Sequence, residues 1–450
     1  MTPPSFVAQA YEPQDDPDMM YTEVQRLVEN EKYEPAARLC NKILDIQSHP
    51  IVANMLGFCL YKLNKEEYAE RVWRGALELQ ADCVPVLANL ANLLRERMRY
   101  KQAEELLLQA IRCKPNDHRA RHNYATLMMD LGRWDEALKH AKKAVELDGK
   151  EIASRHLLSL AKLNAGDFAG GFKLYDARKP LFLRDKAPLP QYTGGKAKVI
   201  VRHEQGFGDT IMAARWLPAL QEMGADVTIV CPRPLKSLIS QSNLAKIHED
   251  GDEDYTHHLW TMDLLPMFAS DWNSISGNPY LKANEAMVAE FGSQLPKDKP
   301  VVGICWSGGF RPDDIGAFVI DKRRSMSGQH AEQIFDGMDC HVVNLTREWG
   351  LPDAIDFGCA VGDFEEQAAL LSNLDLVITV DTALAHLAGG LGVNTWVMSR
   401  FDACWRWHPY TENVPLYDSV THFRQPRVMD WHSVIEQVRE KLGAFLNGKN

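Results

Sequence analysis

The chain has no CxxC pair. Its nine cysteines are scattered singly, among them Cys40, Cys59, Cys113, Cys231 and Cys305. That spacing supports neither a disulfide framework nor a structural zinc site, and it predicts buried thiols in a reducing compartment. No uninterrupted apolar run approaches the roughly 18 residues of a membrane span. The first residues, Met1 to Asp18, lack the basic start and apolar core of a secretory signal. Positive charge is also short: 50 Lys and Arg against 61 Asp and Glu leave a formal net charge of -11. This balance argues against a broad nucleic-acid face, although it leaves room for a local basic groove. Together these absences predict a soluble cytoplasmic protein without a membrane span.

What is present is a period. Ala69, Ala103 and Ala137 are spaced by 34 residues, and Ala76, Ala110 and Ala144 keep the same spacing. Leu56, Leu90 and Tyr124 recur with them, and Tyr100 and Trp134 fill one further slot. Small and large apolar positions in one phase predict tetratricopeptide helix pairs stacked as a solenoid. Weaker units flank them, at Tyr33, Ala36 and Ile43 and at Gly166, Phe168 and Tyr175.

A chain of 450 residues is too long for one ordinary core. The composition places a flexible, proline-bearing and acidic start at 1–20, repeats at 21–181 and a Pro/Gly linker at 182–197. Beyond Lys198 the period shortens. Val199-Ile200-Val201, a helical pattern over Thr210 to Met223 and a strand at Val227 to Cys231 predict a βαβ unit. After a short hinge at Lys297 to Pro300, strands are expected at Val301–Cys305, His341–Leu345, Leu376–Val380 and Thr395–Met398. A closing helix is expected over Trp431 to Phe445. The fold class is therefore an N-terminal α-solenoid followed by two open α/β domains, at 198–297 and 298–428, with the closing helix in 429–450. Their cleft is a favoured place for a ligand.

Three segments follow predicted strands. In His203-Glu204-Gln205-Gly206-Phe207-Gly208-Asp209, Gly206 and Gly208 allow a tight turn and leave backbone N–H groups open to an anion. The GxGxxG spacing is missing, so no dinucleotide site follows. Asp209 stands where it caps the helix, or acts as a base if its second oxygen is free, with Glu204 as the nearest substitute. In Thr379-Val380-Asp381-Thr382-Ala383-Leu384-Ala385-His386, Asp381 or Thr382 is the N-cap, and the exposed N–H groups suit a pyrophosphate. His386 either donates to that phosphate or caps a neighbouring loop. In Trp306-Ser307-Gly308-Gly309, Ser307 and Gly308 offer donors to phosphate, and Arg324, within Lys322-Arg323-Arg324, is placed to neutralise it or stay solvated. Trp405-Arg406-Trp407 and Phe423-Arg424-Gln425 either build an acceptor subsite or pin the closing helix. The run Asp250-Gly251-Asp252-Glu253-Asp254 has DxD spacing but follows no clear strand and reads as surface acid, so no metal site is expected.

These stretches, with Arg215-Trp216-Leu217-Pro218, Asp375 to Gly389 and Asp430-Trp431, resemble tetratricopeptide-repeat proteins that carry a heptosyltransferase-like glycosyltransferase domain. The resemblance covers nearly the whole chain. It implies two Rossmann-like domains in a GT-B arrangement and a nucleotide-diphosphate-sugar donor held by the C-terminal one, with no required cofactor or metal. It also implies Asp209 as general base, with Asp381, Thr382, Ala383, His386, Ser307, Gly308 and Arg324 at the donor. The sequence departs from the family pattern at Gly309-Phe310-Arg311-Pro312 and in the loop Asp313 to Ile320. The implied function is sugar transfer to an acceptor hydroxyl, with the solenoid recruiting a protein or glycan acceptor or self-associating. The alternatives are a non-catalytic tetratricopeptide scaffold with a degenerate nucleotide-sugar domain, and a nucleotide-sugar hydrolase or epimerase.

Overall fold

The computed structural model describes residues 16–183, 189–249, 254–309, 315–347, 350–358, 360–407 and 414–448. Expectations for 1–15, Pro188, Asp250 to Glu253, Phe310 to Asp314 and Cys359 lie outside those residues. The described residues begin with helices α1 (Pro17–Glu29) and α2 (Tyr33–Ile46), followed by α3 (Pro50–Lys62), α4 (Glu66–Leu79), α5 (Val84–Glu96) and α6 (Tyr100–Cys113). Then come α7 (His118–Asp130), α8 (Trp134–Leu147), α9 (Ile152–Asn164) and α10 (Phe168–Tyr175). From Pro50 onward, the first helix of each pair starts 34 residues after the last, at Val84, His118 and Ile152. This is a tetratricopeptide-like α-solenoid.

The phase residues explain the pairing. Ala69, Ala103, Ala137, Ala110 and Ala144 are wholly buried, so their methyl groups set how closely the helices approach. Gly57 takes this further: a Cβ there would lie 2.4 Å from the indole of Trp73. Only a bare backbone lets Trp73 lie flat on α3, where its indole N–H donates to the Asn54 carbonyl at 3.2 Å.

The chain divides into two compact units, Met1–Met129 with Asp135–Ser154, and Asp130–Trp134 with Arg155–Asn450. The second unit adds the short α11 (Lys179–Phe182) and two sheets. The first sheet consists of β1 (Ala197–Arg202), β2 (Ala225–Val230), β3 (Lys246–Ile247) and β4 (His257–Trp260), ordered β3-β2-β1-β4. With it come α12 (Phe207–Ala214), α13 (Leu217–Glu222), α14 (Arg233–Gln241), α15 (Leu264–Phe268) and α16 (Glu285–Gln294). The second contains β5 (Val301–Cys305), β6 (His341–Asn344), β7 (Ile355–Asp356), β8 (Leu376–Val380), β9 (Thr395–Ser399) and β10 (Val420–Arg424), ordered β10-β9-β8-β5-β6-β7. Its helices are α17 (Ile315–Arg324), α18 (Gly328–Phe335), α19 (Phe364–Leu371), α20 (Ala383–Leu391) and α21 (Trp431–Leu446). Every strand pairing among the described residues is parallel.

A parallel sheet with helices on both faces has to bury both sides of each strand. Val377 and Val397 join one apolar cluster, while Leu376, Ile378, Trp396 and Met398 join another with Val434, Val438 and Leu442 of α21. The first cluster continues through Val199, Val201 and Ile229 of the other sheet.

Two expectations need correction. The single helix over Thr210 to Met223 is two, α12 and α13, because Pro218 stands in the first turn of α13 and has no N–H to extend α12. The thiols are not all buried: Cys113, the last residue of α6, is exposed. Among the described residues no helix is long and apolar enough to cross a membrane.

Candidate functional site

The turn after β1 is strained before it turns into helix. Gln205 holds φ +63°, a left-handed value rare for a residue with a side chain. The strain places Gly206 as N-cap of α12 and Asp209 three residues in. One Asp209 oxygen accepts the Gly206 N–H at 3.0 Å. The other pairs with Arg406 at 2.6 Å, and Arg406 also donates to the Gln205 side-chain oxygen at 3.2 Å. The Arg406 guanidinium lies over the Trp405 ring at 4.9 Å, and Asp209 helps hold its pKa above the ordinary value against burial. Each carboxylate oxygen thus has a partner within the fold. Asp209 is a cap and an ion-pair partner. Asp209→Asn is expected to weaken folding by about 1–3 kcal/mol, the cost of leaving a charged donor poorly paired. Chemical unfolding of the variant checks it, and unchanged stability would free Asp209 from this role.

Glu204 is buried deeper still. Arg178, itself wholly buried, donates to both of its oxygens at 3.1 and 2.8 Å and to Asp263 at 2.6 Å. The Met262 N–H adds a bond to Glu204 at 2.9 Å. Burial pushes the Glu204 carboxyl up, and Arg178 works against that shift. This is a closed ion network that joins the tail of the helical segment to the first sheet within the second unit. It is not a poised base.

The second predicted segment is closed as well. Thr382 caps α20, its hydroxyl accepting the Leu384 N–H at 3.3 Å. The Ala383 nitrogen, which a phosphate would need, lies close against α12: a Cβ on Gly208 would lie 3.6 Å from it, 3.2 Å from the Ala383 Cα and 2.7 Å from the His386 ring. The bare Gly208 backbone is what lets the two helix starts meet. His386 bonds to the Tyr417 hydroxyl at 2.9 Å and stacks on Trp407 at 4.9 Å. Its pKa is pushed down to about 4 by burial, so it is a neutral core residue. Arg324 is held by Asp321 at 2.6 Å and by the Asp381 carbonyl at 3.1 Å. Gly308 has room only because it lacks a side chain, since a Cβ would lie 2.6 Å from that guanidinium. Its N–H donates to Ser325, and the Ser307 carbonyl accepts from the Cys305 thiol.

The structure thus brings Asp209, Gly206, Gly208 and His386 together around Arg406, and Arg324, Gly308 and Asp381 together in a second group. Phe423-Arg424-Gln425 is structural too: Arg424 donates to the Phe401 carbonyl, and the Gln425 oxygen accepts from Phe401 and Met429. Sequence reasoning missed Arg178 and Asp263 and gave no role to Arg215. Arg215 bonds the carbonyls of Met212, Ser276 and Leu416 at 3.0, 3.1 and 2.7 Å, between the rings of Tyr280 and Tyr417. Its signal was only an arginine beside a tryptophan. Among the described residues, no group of three or more His, Cys, Asp or Glu side chains is placed to hold a metal ion.

In the first unit, polar side chains collect along the first helices of the pairs. Asn54, Asn89 and Asn123 stand half-buried on α3, α5 and α7. Asn89 donates to the Asn54 side-chain oxygen at 2.9 Å, and Asn123 donates to the Ala88 carbonyl at 3.3 Å. Each side-chain amide carries donors and an acceptor, so among the described residues the Asn54 N–H groups and the Asn89 and Asn123 oxygens remain unspent. Asn92, Glu96 and Tyr61 continue the stripe.

The chain matches no family model. Protein FlbA of Caulobacter vibrioides is 26% identical over 448 residues, 87% of this chain and 72% of FlbA. Hsp70-Hsp90 organizing protein 1 of Glycine max is 33% identical over 120 residues, 26% of this chain and 19% of that protein. Among solved structures, Pseudomonas aeruginosa pilF matches at 16% identity with a TM-score of 0.36, over 46% of this chain and 86% of its own. YrrB, described as a TPR protein with an unusual peptide-binding site, matches at 17% identity with a TM-score of 0.29, over 38% and 88%. Neither Protein FlbA nor Hsp70-Hsp90 organizing protein 1 is named as a transferase. With the carboxylates, His386 and Arg324 all engaged inside the fold, the expected glycosyltransferase reading is overturned. With it go the heptosyltransferase-like chemistry, the enzyme assignment and the nucleotide-diphosphate-sugar donor.

Proposed function

We propose that the chain is a non-catalytic scaffold whose solenoid takes an extended polypeptide segment along the stripe on its first helices. The observation that carries this is the row Asn54, Asn89 and Asn123, three amides with unspent hydrogen-bonding groups on successive helix pairs. An extended backbone offers N–H and C=O groups at short regular intervals, and half-buried side-chain amides answer both. A solenoid repeats such a face along its length. The match to an organizing protein supports an adaptor role. In this reading the two parallel sheets are a Rossmann-like pair of the GT-B kind without its chemistry. Buried ion pairs stand where acid–base and phosphate groups were expected.

The test is selection of unstructured 12-residue peptides from a random library on the full chain. Binding is then measured to the parent and to Asn89→Ala/Asn123→Ala. Two lost hydrogen bonds of about 1 kcal/mol each predict at least about a tenfold weaker affinity, with thermal melting as the control for folding. Peptides that bind the double variant equally well place the contact elsewhere. Turnover of a nucleotide-sugar by the chain would sink the scaffold reading altogether.

A further inference from the structure

We infer that a cavity on α4 binds a phosphate monoester. The inference is independent of the peptide-binding reading, because it uses the second helix of a pair and not the row of amides on the first helices. The cavity, of about 380 Å³, is lined by Glu67, Tyr68, Glu70, Arg71 and Arg74 of α4 and by Arg97, the residue after α5. That volume falls in the range of small-molecule sites, about 300–1,000 Å³. Three guanidiniums line this one cavity, in a chain whose formal net charge is -11. The solenoid does not need them. Ala69, Ala103 and Ala137 recur, but one repeat beyond Tyr68, Arg71 and Arg74 stand Gln102, Glu105 and Leu108, and two repeats beyond stand Glu136, Lys139 and Lys142. The same helix pair forms without the trio.

Among the described residues Arg71 makes no ion pair and no hydrogen bond. Its guanidinium lies over the Tyr68 ring at 4.6 Å, and Tyr68 is 56% exposed. The other two arginines are engaged only in part. Arg74 donates to Glu70 through Nε and Nη2 at 3.1 and 2.8 Å, which leaves its Nη1. Arg97 donates through Nε to Glu66 at 3.0 Å and through Nη1 to Glu70 at 3.2 Å, which leaves its Nη2. Arg99 closes the far side of Glu70, reaching both of its oxygens at 2.7 and 2.9 Å. The Glu70 charge is therefore met by three cations. Four guanidiniums, with Arg99 and Arg71 included, stand against the three carboxylates Glu66, Glu67 and Glu70, and one positive charge is left over. A phosphate monoester fits this surplus. Its oxygens accept from planar guanidinium forks, and its organic part finds the exposed ring of Tyr68. A carboxylate would bring only two oxygens to three forks. Glu67, exposed and one turn before Arg71, opposes the anion.

The test is calorimetric titration of the full chain with three probes: phenyl phosphate, inorganic phosphate and a short peptide carrying one phosphotyrosine. Phenyl phosphate is expected to bind about fivefold more tightly than inorganic phosphate, because only the ester reaches Tyr68. Arg71→Gln should weaken phenyl phosphate about tenfold. Glu67→Gln should strengthen it, and added salt should weaken it in the parent. Arg71 and Glu67 hold no partner in the fold, so thermal melting is expected to be unchanged in both variants. A phosphopeptide that binds more tightly than phenyl phosphate, with the same loss in Arg71→Gln, assigns the ester to a phosphorylated side chain of a partner. Equal affinity assigns it to a free ester, and either result supports the cavity. Binding of no phosphate probe by the folded parent overturns the inference, as does unchanged affinity for phenyl phosphate in Arg71→Gln. Inorganic phosphate binding as tightly as phenyl phosphate removes Tyr68 from the site and overturns the monoester assignment.

Discussion

Arg178→Met is expected to unfold the second unit at markedly lower denaturant, a loss of about 3–5 kcal/mol. Methionine keeps most of the arginine stem, so the loss comes from charge and not from a void. The variant leaves Glu204 and Asp263 buried, with one cation fewer between them. Lys179, at 3.0 Å from Asp263, still serves that carboxylate, but Glu204 keeps only the Met262 N–H. A buried carboxylate without a partner is costly because no water solvates it. The double variant Arg178→Met/Glu204→Gln should recover a good part of the loss, since it removes the stranded charge, and the cycle of the variants measures the coupling. Tryptophan fluorescence reports the event locally, because Trp260 donates its backbone N–H to Asp263. A loss below about 1 kcal/mol would mean that the network is solvated and marginal.

This network marks the boundary of what the sequence made legible. The helix pairs were readable because alanine spacing is a local property: each phase position meets its neighbour one repeat away, and the period records that directly. The long strands β1, β2, β5, β8 and β9 were readable as short apolar runs. The strands β3, β4, β7 and β10 were not. β3 and β7 are two residues long, while His257 and His258 in β4 and the polar Thr421, His422 and Arg424 in β10 break the apolar pattern.

The site failed for a different reason. Local sequence placed Asp209 at a helix start and Thr382 at another, and both are there. What decides chemistry, however, is where the second carboxylate oxygen points and what faces the open N–H. Those answers come from Arg406 and from Gly208, which reach the two helix starts through the fold. No spacing rule shows that the glycines of one segment serve to admit the other. Asp209 as cap and Asp209 as base share one local sequence, and only the ion pair with Arg406 separates them. Arg178 carried no signal at all, since a lone arginine near a proline in a helical tail reads as solvated.

Acid should weaken the second unit through His386. In the fold its pKa is pushed down to about 4, chiefly by burial, with Asp381 and Asp209 opposing the shift and Arg406 and Arg215 adding to it. In the unfolded chain the imidazole titrates near its ordinary 6.5. Between those values the unfolded chain binds the proton and the fold does not, so stability is full above about pH 6.5 and falls as the pH drops toward 4. At pH 5 the loss from this one group is about 2 kcal/mol relative to pH 7.5. His156, also lowered to about 4 by burial and then by Arg178, adds a loss of the same sign. Glu204, raised by burial, works in the opposite direction. His386→Gln isolates the first contribution, because glutamine can still bond the Tyr417 hydroxyl but takes up no proton in this range. Its stability at neutral pH should be lower, since the stacking on Trp407 is lost. Its decline between pH 7.5 and pH 5 should be shallower than that of the parent by about 2 kcal/mol. Parallel pH profiles for parent and variant would show that the imidazole takes up its proton without unfolding its surroundings. The closed packing of Gly208, Trp407 and Tyr417 around it would then not hold at acid pH.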